Sequence, residues 1–201
     1  VIGKDTIIYP GCTIEKGSKI GENCSIGPNS CVSSSEIGND VIIEYSVVRE
    51  SKVGDNTTIG PFANIRPGNV LGKNIRIGDF VELKKSEIGD GAKISHLAYV
   101  GDAQIGENTN IGAGVIIVNY DGFSKYITRI GDNSFVGCNS NLISPVDIGD
   151  DAYIAAGSTI TSDVPKKALS IARSRQVNKP EWVLKRFKEK KQSGGGRTGE
   201  Q

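Results

Sequence analysis

The stretch VIGKDTIIYPGCTIEKGSKIGENCSIGPNSCV, residues 1–32, carries an aliphatic side chain at every sixth position: Ile2, Ile8, Ile14, Ile20, Ile26 and Val32. The beat runs on with occasional shorter steps through Ile37, Ile43, Val48, Val53, Ile59, Ile65, Leu71, Ile77 and Leu83. It continues at Ile88, Ile94, Val100, Ile105, Ile111 and Ile117, is interrupted, and returns at Ile130, Val136, Leu142, Ile148, Ile154 and Ile160. A helix would scatter apolar residues of this period around all its faces, so a helical reading fails. Four residues after many beats stands a small or β-branched residue, such as Thr6, Cys12, Ser18, Cys24, Ser30, Thr57, Ala63, Ala92, Thr109, Ser134, Ala152 or Ser158. One large aliphatic and one small residue per short strand suit the narrow interior of a solenoid. Glycine, asparagine and aspartate between them tolerate the positive φ of tight corners.

Composition agrees with that reading and narrows the function. Of 201 residues 26 are glycine and only 6% aromatic, as suits a turn-rich β architecture. The 24 basic and 23 acidic residues nearly balance, so no net field points to nucleic acid or to a membrane surface. No apolar run is long enough to span a bilayer, and no signal-peptide pattern of a basic start and apolar middle is present in these residues. The four cysteines, at 12, 24, 31 and 138, lack a CxxC spacing and read as reduced thiols of a cytoplasmic protein. Cys12 and Cys24 occupy the small-residue slot and read as structural. A single histidine argues against a three-histidine zinc site, and no metal is expected.

In the β-helices of the hexapeptide-repeat acyltransferases, which this six-residue pattern resembles, three repeats make one coil of about 18 residues, stacked at roughly 4.8 Å. Residues 1–163 then make about nine coils, and every third repeat shares a face. If one irregular repeat fills the gap from Ile117 to Ile130, the repeats at Ile65, Leu83, Val100, Ile117, Val136 and Ile154 share one face. On it Arg66 and Lys84 stack, two cations whose mutual repulsion is about 1–3 kcal/mol at intermediate dielectric. They form either a solvated charge ladder or a concave anion site, for instance for a phosphate. On the same count Asn119, Cys138 and Ala156 leave a shallow track about 10 Å long on that face. His96 and Ala113 fall on another face, one coil apart, where the small Ala113 leaves space beside the imidazole. A lone histidine is either a satisfied surface residue or a functional one. One site can use both His96 and the Arg66/Lys84 pair only around a corner or between packed prisms, which favours an oligomer. Residues 180–192, PEWVLKRFKEKKQ, read as a basic amphipathic helix with Trp182, Leu184 and Phe187 as its apolar contacts. It is expected to dock on the solenoid or a neighbour rather than on membrane or nucleic acid.

The six-residue pattern resembles the hexapeptide-repeat acyltransferases. That resemblance implies an all-β fold, a left-handed parallel β-helix of hexapeptide repeats with a short C-terminal helical tail. Residues 1–175 would form the β-helix, 176–192 the basic tail, and 193–201 a disordered or artificial extension. More specifically, IGPFANIRPG (59–68), VELKKSEIG (81–89), KISHLAYVGDAQIGENTNIGAG (93–114) and NYDGFSK (119–125) resemble one family. It is that of the acetyltransferase domains of bacterial bifunctional glucosamine-1-phosphate acetyltransferase/N-acetylglucosamine-1-phosphate uridylyltransferases. The resemblance implies acetyl transfer from acetyl-CoA to the amine of glucosamine 1-phosphate, in a cytoplasmic homotrimer with sites between subunits. By the same likeness His96 is the catalytic base, and Arg66, Lys84, Tyr99 and Asn110 bind the sugar phosphate. Ala113, Asn119, Tyr120, Cys138, Ala156 and Arg173 would line the acetyl-CoA path, with Lys125 as a further phosphate contact. Cys138 stands where serine is expected, which weakens one hydrogen bond. The uridylyltransferase and its divalent metal would lie in a domain preceding Val1; this chain has no glycine-rich nucleotide loop. Two other readings stay open: transfer to another amino sugar, and a non-catalytic trimeric scaffold.

Overall fold

In a computed structural model, which describes residues 1–193 with side chains through residue 190, the six-residue beat closes into a parallel β-solenoid of three sheets. The sheets hold ten, nine and eight strands, each strand only two to four residues long. Successive strands pass from sheet to sheet, so each strand pairs in parallel with the one three places on. Ile65 thus lies opposite Leu83, and Ile77 opposite Ile94. The aliphatic residues of the beat from Ile20 to Ile160 are buried and form one continuous column. Ile2 and Ile8, in the first coil, remain exposed because no coil lies beyond them. The winding extends past Val164: that residue bridges to Ile148, and the strand Leu169–Ser170 pairs with Tyr153–Ile154.

The small-residue slot has a second role beyond saving space. Buried Ser18, Thr109 and Ser134 donate their hydroxyls to the carbonyls of Val32, Gly131 and Gly149. Thr109 and Ser134 also accept the amides of Ser134 and Ala152. Each hydroxyl therefore ties adjacent coils. The Cys12 and Cys24 thiols point in the same way at the carbonyls of Ile26 and Gly38. All four cysteines are free.

One expectation is corrected here. The gap from Ile117 to Ile130 contains no repeat: Ile116–Val118 belongs to the nine-strand sheet and Thr128–Ile130 directly follows it on the eight-strand sheet. Residues 119–127 leave the solenoid as a loop. Val136 and Ile154 therefore lie in the ten-strand sheet with Ile94 and Ile111, whereas Leu142 and Ile160 continue the face of Ile65, Leu83, Val100 and Ile117. The helix spans Trp182–Ser193, and Trp182, Leu184 and Phe187 stay exposed, so it does not dock on its own solenoid. Residues 194–201 lie outside the described residues.

One corner departs from the glycine and asparagine rule with large apolar residues. Between the ten- and nine-strand sheets the positive-φ position is held in successive coils by Tyr45, Phe62, Phe80 and Leu97. A left-handed backbone costs such residues about 1 kcal/mol or more each. Phe62 stacks on Phe80 at 5.4 Å between ring centroids and lies 5.6 Å from Tyr45, which offsets part of that cost. Phe62, Phe80 and Leu97 are nevertheless 54%, 57% and 59% exposed, a contiguous apolar ridge on the outside of the prism.

Burial predicts where the column is vulnerable. Leu142→Ala, at a fully buried position, should lower unfolding stability by about 2–5 kcal/mol. Ile8→Ala at the open end should cost less than about 1 kcal/mol. Urea denaturation checks both, and equal losses would contradict a column closed by its neighbours.

Candidate active site

With no repeat between Ile117 and Ile130, the winding brings together residues that an extra repeat would set on different faces. His96, Ala113, Cys138 and Ala156 each stand two residues after a beat in the ten-strand sheet, on four successive coils. The corner amides follow the same line: Gly114 donates to the His96 carbonyl, Asn139 to that of Ala113, and Gly157 to that of Cys138. From imidazole to Ala156 the line covers about 14 Å. Beyond it Arg173 lays its side chain over Gly157. A histidine thus heads a track of small side chains with a cation at its far end. Cys138 and Ala156 are exposed and Ala113 is half-buried, so the track is open to solvent.

His96 ends the strand Lys93–His96 at the corner before the nine-strand sheet. Its Nδ1 lies 2.5 Å from Oδ1 of Asp79, its register partner one coil earlier. That hydrogen bond holds the Asp79 carboxyl below the usual carboxylate range. Asp79 carries no signal in the sequence; only the strand register identifies it.

A second cluster occupies the opposite edge of the nine-strand sheet. Arg66 and Lys84 do share this face, but their heads meet different carboxylates. Arg66 Nη1 bonds Glu82 Oε1 at 2.9 Å, whereas Lys84 Nζ lies 4.0 Å from Asp102 Oδ2. Asp102 also accepts Asn119 Nδ2 at 2.5 Å, and the Tyr99 hydroxyl lies over Gly101, where a Cβ would strike it. Gly101 therefore leaves room for the ring to fold across the strand towards Asn119. Lys84 and Asp102 are nearly buried, while Lys125 arrives from the loop. The neighbouring Lys84 ammonium pushes the Lys125 pKa down. Two ammonium groups in one cleft, against one carboxylate, form a place that an anion would stabilise.

Asn119 belongs to this cluster, whereas Asn110 of the same chain lies apart from it. Asn110 pairs with Lys93 in the ten-strand sheet, so within one chain it does not share a face with Tyr99. Asn119 stays with Lys84 and not with Cys138 and Ala156. The loop that begins there is a small hairpin: Tyr120 bridges Lys125, and the Tyr120 hydroxyl donates to the Gly122 carbonyl at 2.6 Å. Asp121 accepts the amides of Ser124 and Phe123, which hold its carboxyl below the ordinary range. Phe123 at the tip is 94% exposed. Among the described residues no group of three or more His, Cys, Asp or Glu is placed to hold a metal.

Residues 1–79 match the family described as GMPPB C-terminal domain, and residues 85–119 and 127–162 match bacterial transferase hexapeptide repeats. The break between the last two stretches is the hairpin loop. By these repeats and its fold the chain is similar to the hexapeptide-repeat transferases of bacteria. Within them it aligns with the C-terminal part of proteins described as bifunctional protein GlmU. It is 58% identical over 92% of its length to that of Clostridium kluyveri and 59% over 92% to that of Acetivibrio thermocellus. The chain spans about two fifths of these relatives, 41% and 40%. In structure it overlays UDP-N-acetylglucosamine O-acyltransferase (LpxA) of Moraxella catarrhalis with a TM-score of 0.61, covering 90% of this chain and 77% of that one. The Francisella novicida UDP-N-acetylglucosamine acyltransferase gives 0.57 over 90% and 73%. At 19% identity both speak for the fold alone.

The Asp121 turn gives a pH prediction. Because its folded pKa is depressed, its stabilisation of the loop is present above the unfolded value and is lost as pH falls through the folded one. Hydrogen exchange at the Phe123 and Ser124 amides should accelerate relative to the intrinsic rate on acidification below the carboxylate range. In Asp121→Ala that protection should be absent at every pH.

Proposed function

We propose that this chain is an acetyl-CoA-dependent N-acetyltransferase of cytoplasmic location that converts glucosamine 1-phosphate to N-acetylglucosamine 1-phosphate, a step towards UDP-N-acetylglucosamine. The observation that carries this reading is the unbroken line from His96 through Ala113, Cys138 and Ala156 towards Arg173. An extended thioester arm fits along small side chains, its reactive end at the imidazole and its phosphates at the guanidinium. His96 takes a proton from the sugar amine, and the amine nitrogen attacks the thioester carbonyl. The C–N bond forms, the C–S bond breaks, and the departing thiolate recovers the proton. Lys84, Lys125 and Arg66 grip the sugar phosphate, with Tyr99 and Asn110 as further sugar contacts and Asn119 and Tyr120 against the acetyl donor. The similarity to the C-terminal part of GlmU proteins, together with the RPG, HLAYVGD, NIGAG and NYDG segments, supports this substrate over another amino sugar.

The active form in this reading is a homotrimer. His96 and the lysine cleft lie at opposite edges of one sheet, so the histidine edge of one prism and the lysine edge of its neighbour together make a whole site. The apolar ridge Tyr45–Phe62–Phe80–Leu97 runs beside His96 and supplies the surface that neighbours would cover. A second chain there would also explain the exposed loop tip at Phe123.

Thiol release from acetyl-CoA in the presence of glucosamine 1-phosphate tests the reaction. His96→Ala should lower turnover roughly 10²-fold or more with the fold intact; undiminished turnover would remove the imidazole from the chemistry. Lys84→Ala should raise KM for the sugar phosphate about 10- to 100-fold and leave that for acetyl-CoA unchanged. Phe62→Asp should turn trimers into monomers in sedimentation and abolish turnover. A wild-type protein that is active as a monomer would defeat the intersubunit site.

A further inference from the structure

Among the described strands only Arg76–Asp79 and Lys93–His96 reach four residues, and they pair in register to their last residues, Asp79 opposite His96. Other strands part after two or three. The extension depends on Gly78: a Cβ there would lie 1.9 Å from the Ser95 carbonyl oxygen, so only glycine lets the strands stay close as far as the corner. The backbone thus carries a carboxylate beneath the imidazole and holds it there, with Nδ1 2.5 Å from Oδ1.

Stability does not account for this pair. The histidine side chain is 61% exposed, and a surface pair in water contributes little to folding. Orientation does account for it. A neutral imidazole can carry its proton on either nitrogen, and the partner of one nitrogen decides the state of the other. An acceptor fixed at Nδ1 requires Nδ1–H and leaves the Nε2 lone pair free. We propose that Asp79 is the positioning residue for His96. It locks the Nδ1–H tautomer and the ring plane, so that Nε2 takes the amine proton, and it faces the imidazolium formed when the proton arrives. Asp79 exchanges no proton with the substrate; it acts through the ring. The inference rests on His96 as base, the reading given above.

His96 is the only histidine in the chain, so one experiment reads the tautomer directly. In ¹⁵N-labelled protein without substrates, at a pH where imidazole is neutral, two-bond ¹H–¹⁵N correlations should give the Nδ1–H pattern. In Asp79→Ala they should move to the Nε2–H form that dominates free histidine. Turnover of Asp79→Ala should fall about tenfold or more, with KM for both substrates within about threefold of wild type. Asp79→Asn, whose amide oxygen can still accept Nδ1–H, should keep Nδ1–H and recover part of the turnover. A wild-type spectrum of the Nε2–H type overturns the proposal without any variant. An unchanged spectrum and unchanged turnover in Asp79→Ala overturn it as well, and leave the base reading standing if His96→Ala is inactive. Full turnover in His96→Ala sinks the base reading first and this inference with it.

Discussion

Everything in this molecule hangs on the hydrogen bonding of each coil to the next. Every strand is too short to stand alone, and its amides are paired only because the coil three strands away presents carbonyls at the same spacing. That pairing fixes a vertical register in which residues about 18 positions apart become neighbours. It also forbids slippage, since a shift of one residue would turn the aliphatic column outward and the charged residues in. The buried serine and threonine hydroxyls reinforce the register by bonding from one coil to the next.

Such a scaffold turns small local irregularities into chemistry. A glycine at position 78 prolongs two strands and sets a carboxylate against an imidazole. A glycine at 101 lets the Tyr99 ring lie across its own strand. A hairpin inserted at one corner brings Lys125 against Lys84, where the charges repel unless an anion comes between them. None of these features disturbs the column, because each sits on the outward face or at a corner. The interior satisfies the fold, and the exterior is free to carry a site.

The fold was legible because its signal is redundant. Some two dozen aliphatic residues repeat the same statement, and the loss of one beat does not change the answer. Which residues share a face was far less secure. Between Ile117 and Ile130 a single assumed repeat moved Val136 and Ile154 to the wrong sheet and took Cys138 and Ala156 away from His96. In a three-sided solenoid the assignment of every later residue is a count taken in threes, so one error propagates to the end. The stacking of Arg66 on Lys84 was correctly read because no irregularity lies between them. Their actual partners, Glu82 and Asp102, have no mark in the sequence.

By itself the sequence determined the winding: a period of six, a large and a small inward residue per strand, and corners rich in glycine and asparagine leave a parallel solenoid as the way to bury that pattern. It also singled out His96, by its solitude, and Arg66 with Lys84, by their spacing. Tertiary structure alone decided which of these groups meet. The hairpin leaves the solenoid instead of winding with it, and backbone pairing carries Asp79 up to His96. Phe62, Phe80 and Leu97 face outward although their hydrophobicity would send them inward, because the corner positions they occupy point away from the column. Periodicity records what a side chain needs on average; direction and adjacency come from backbone geometry, which a string of residues does not express.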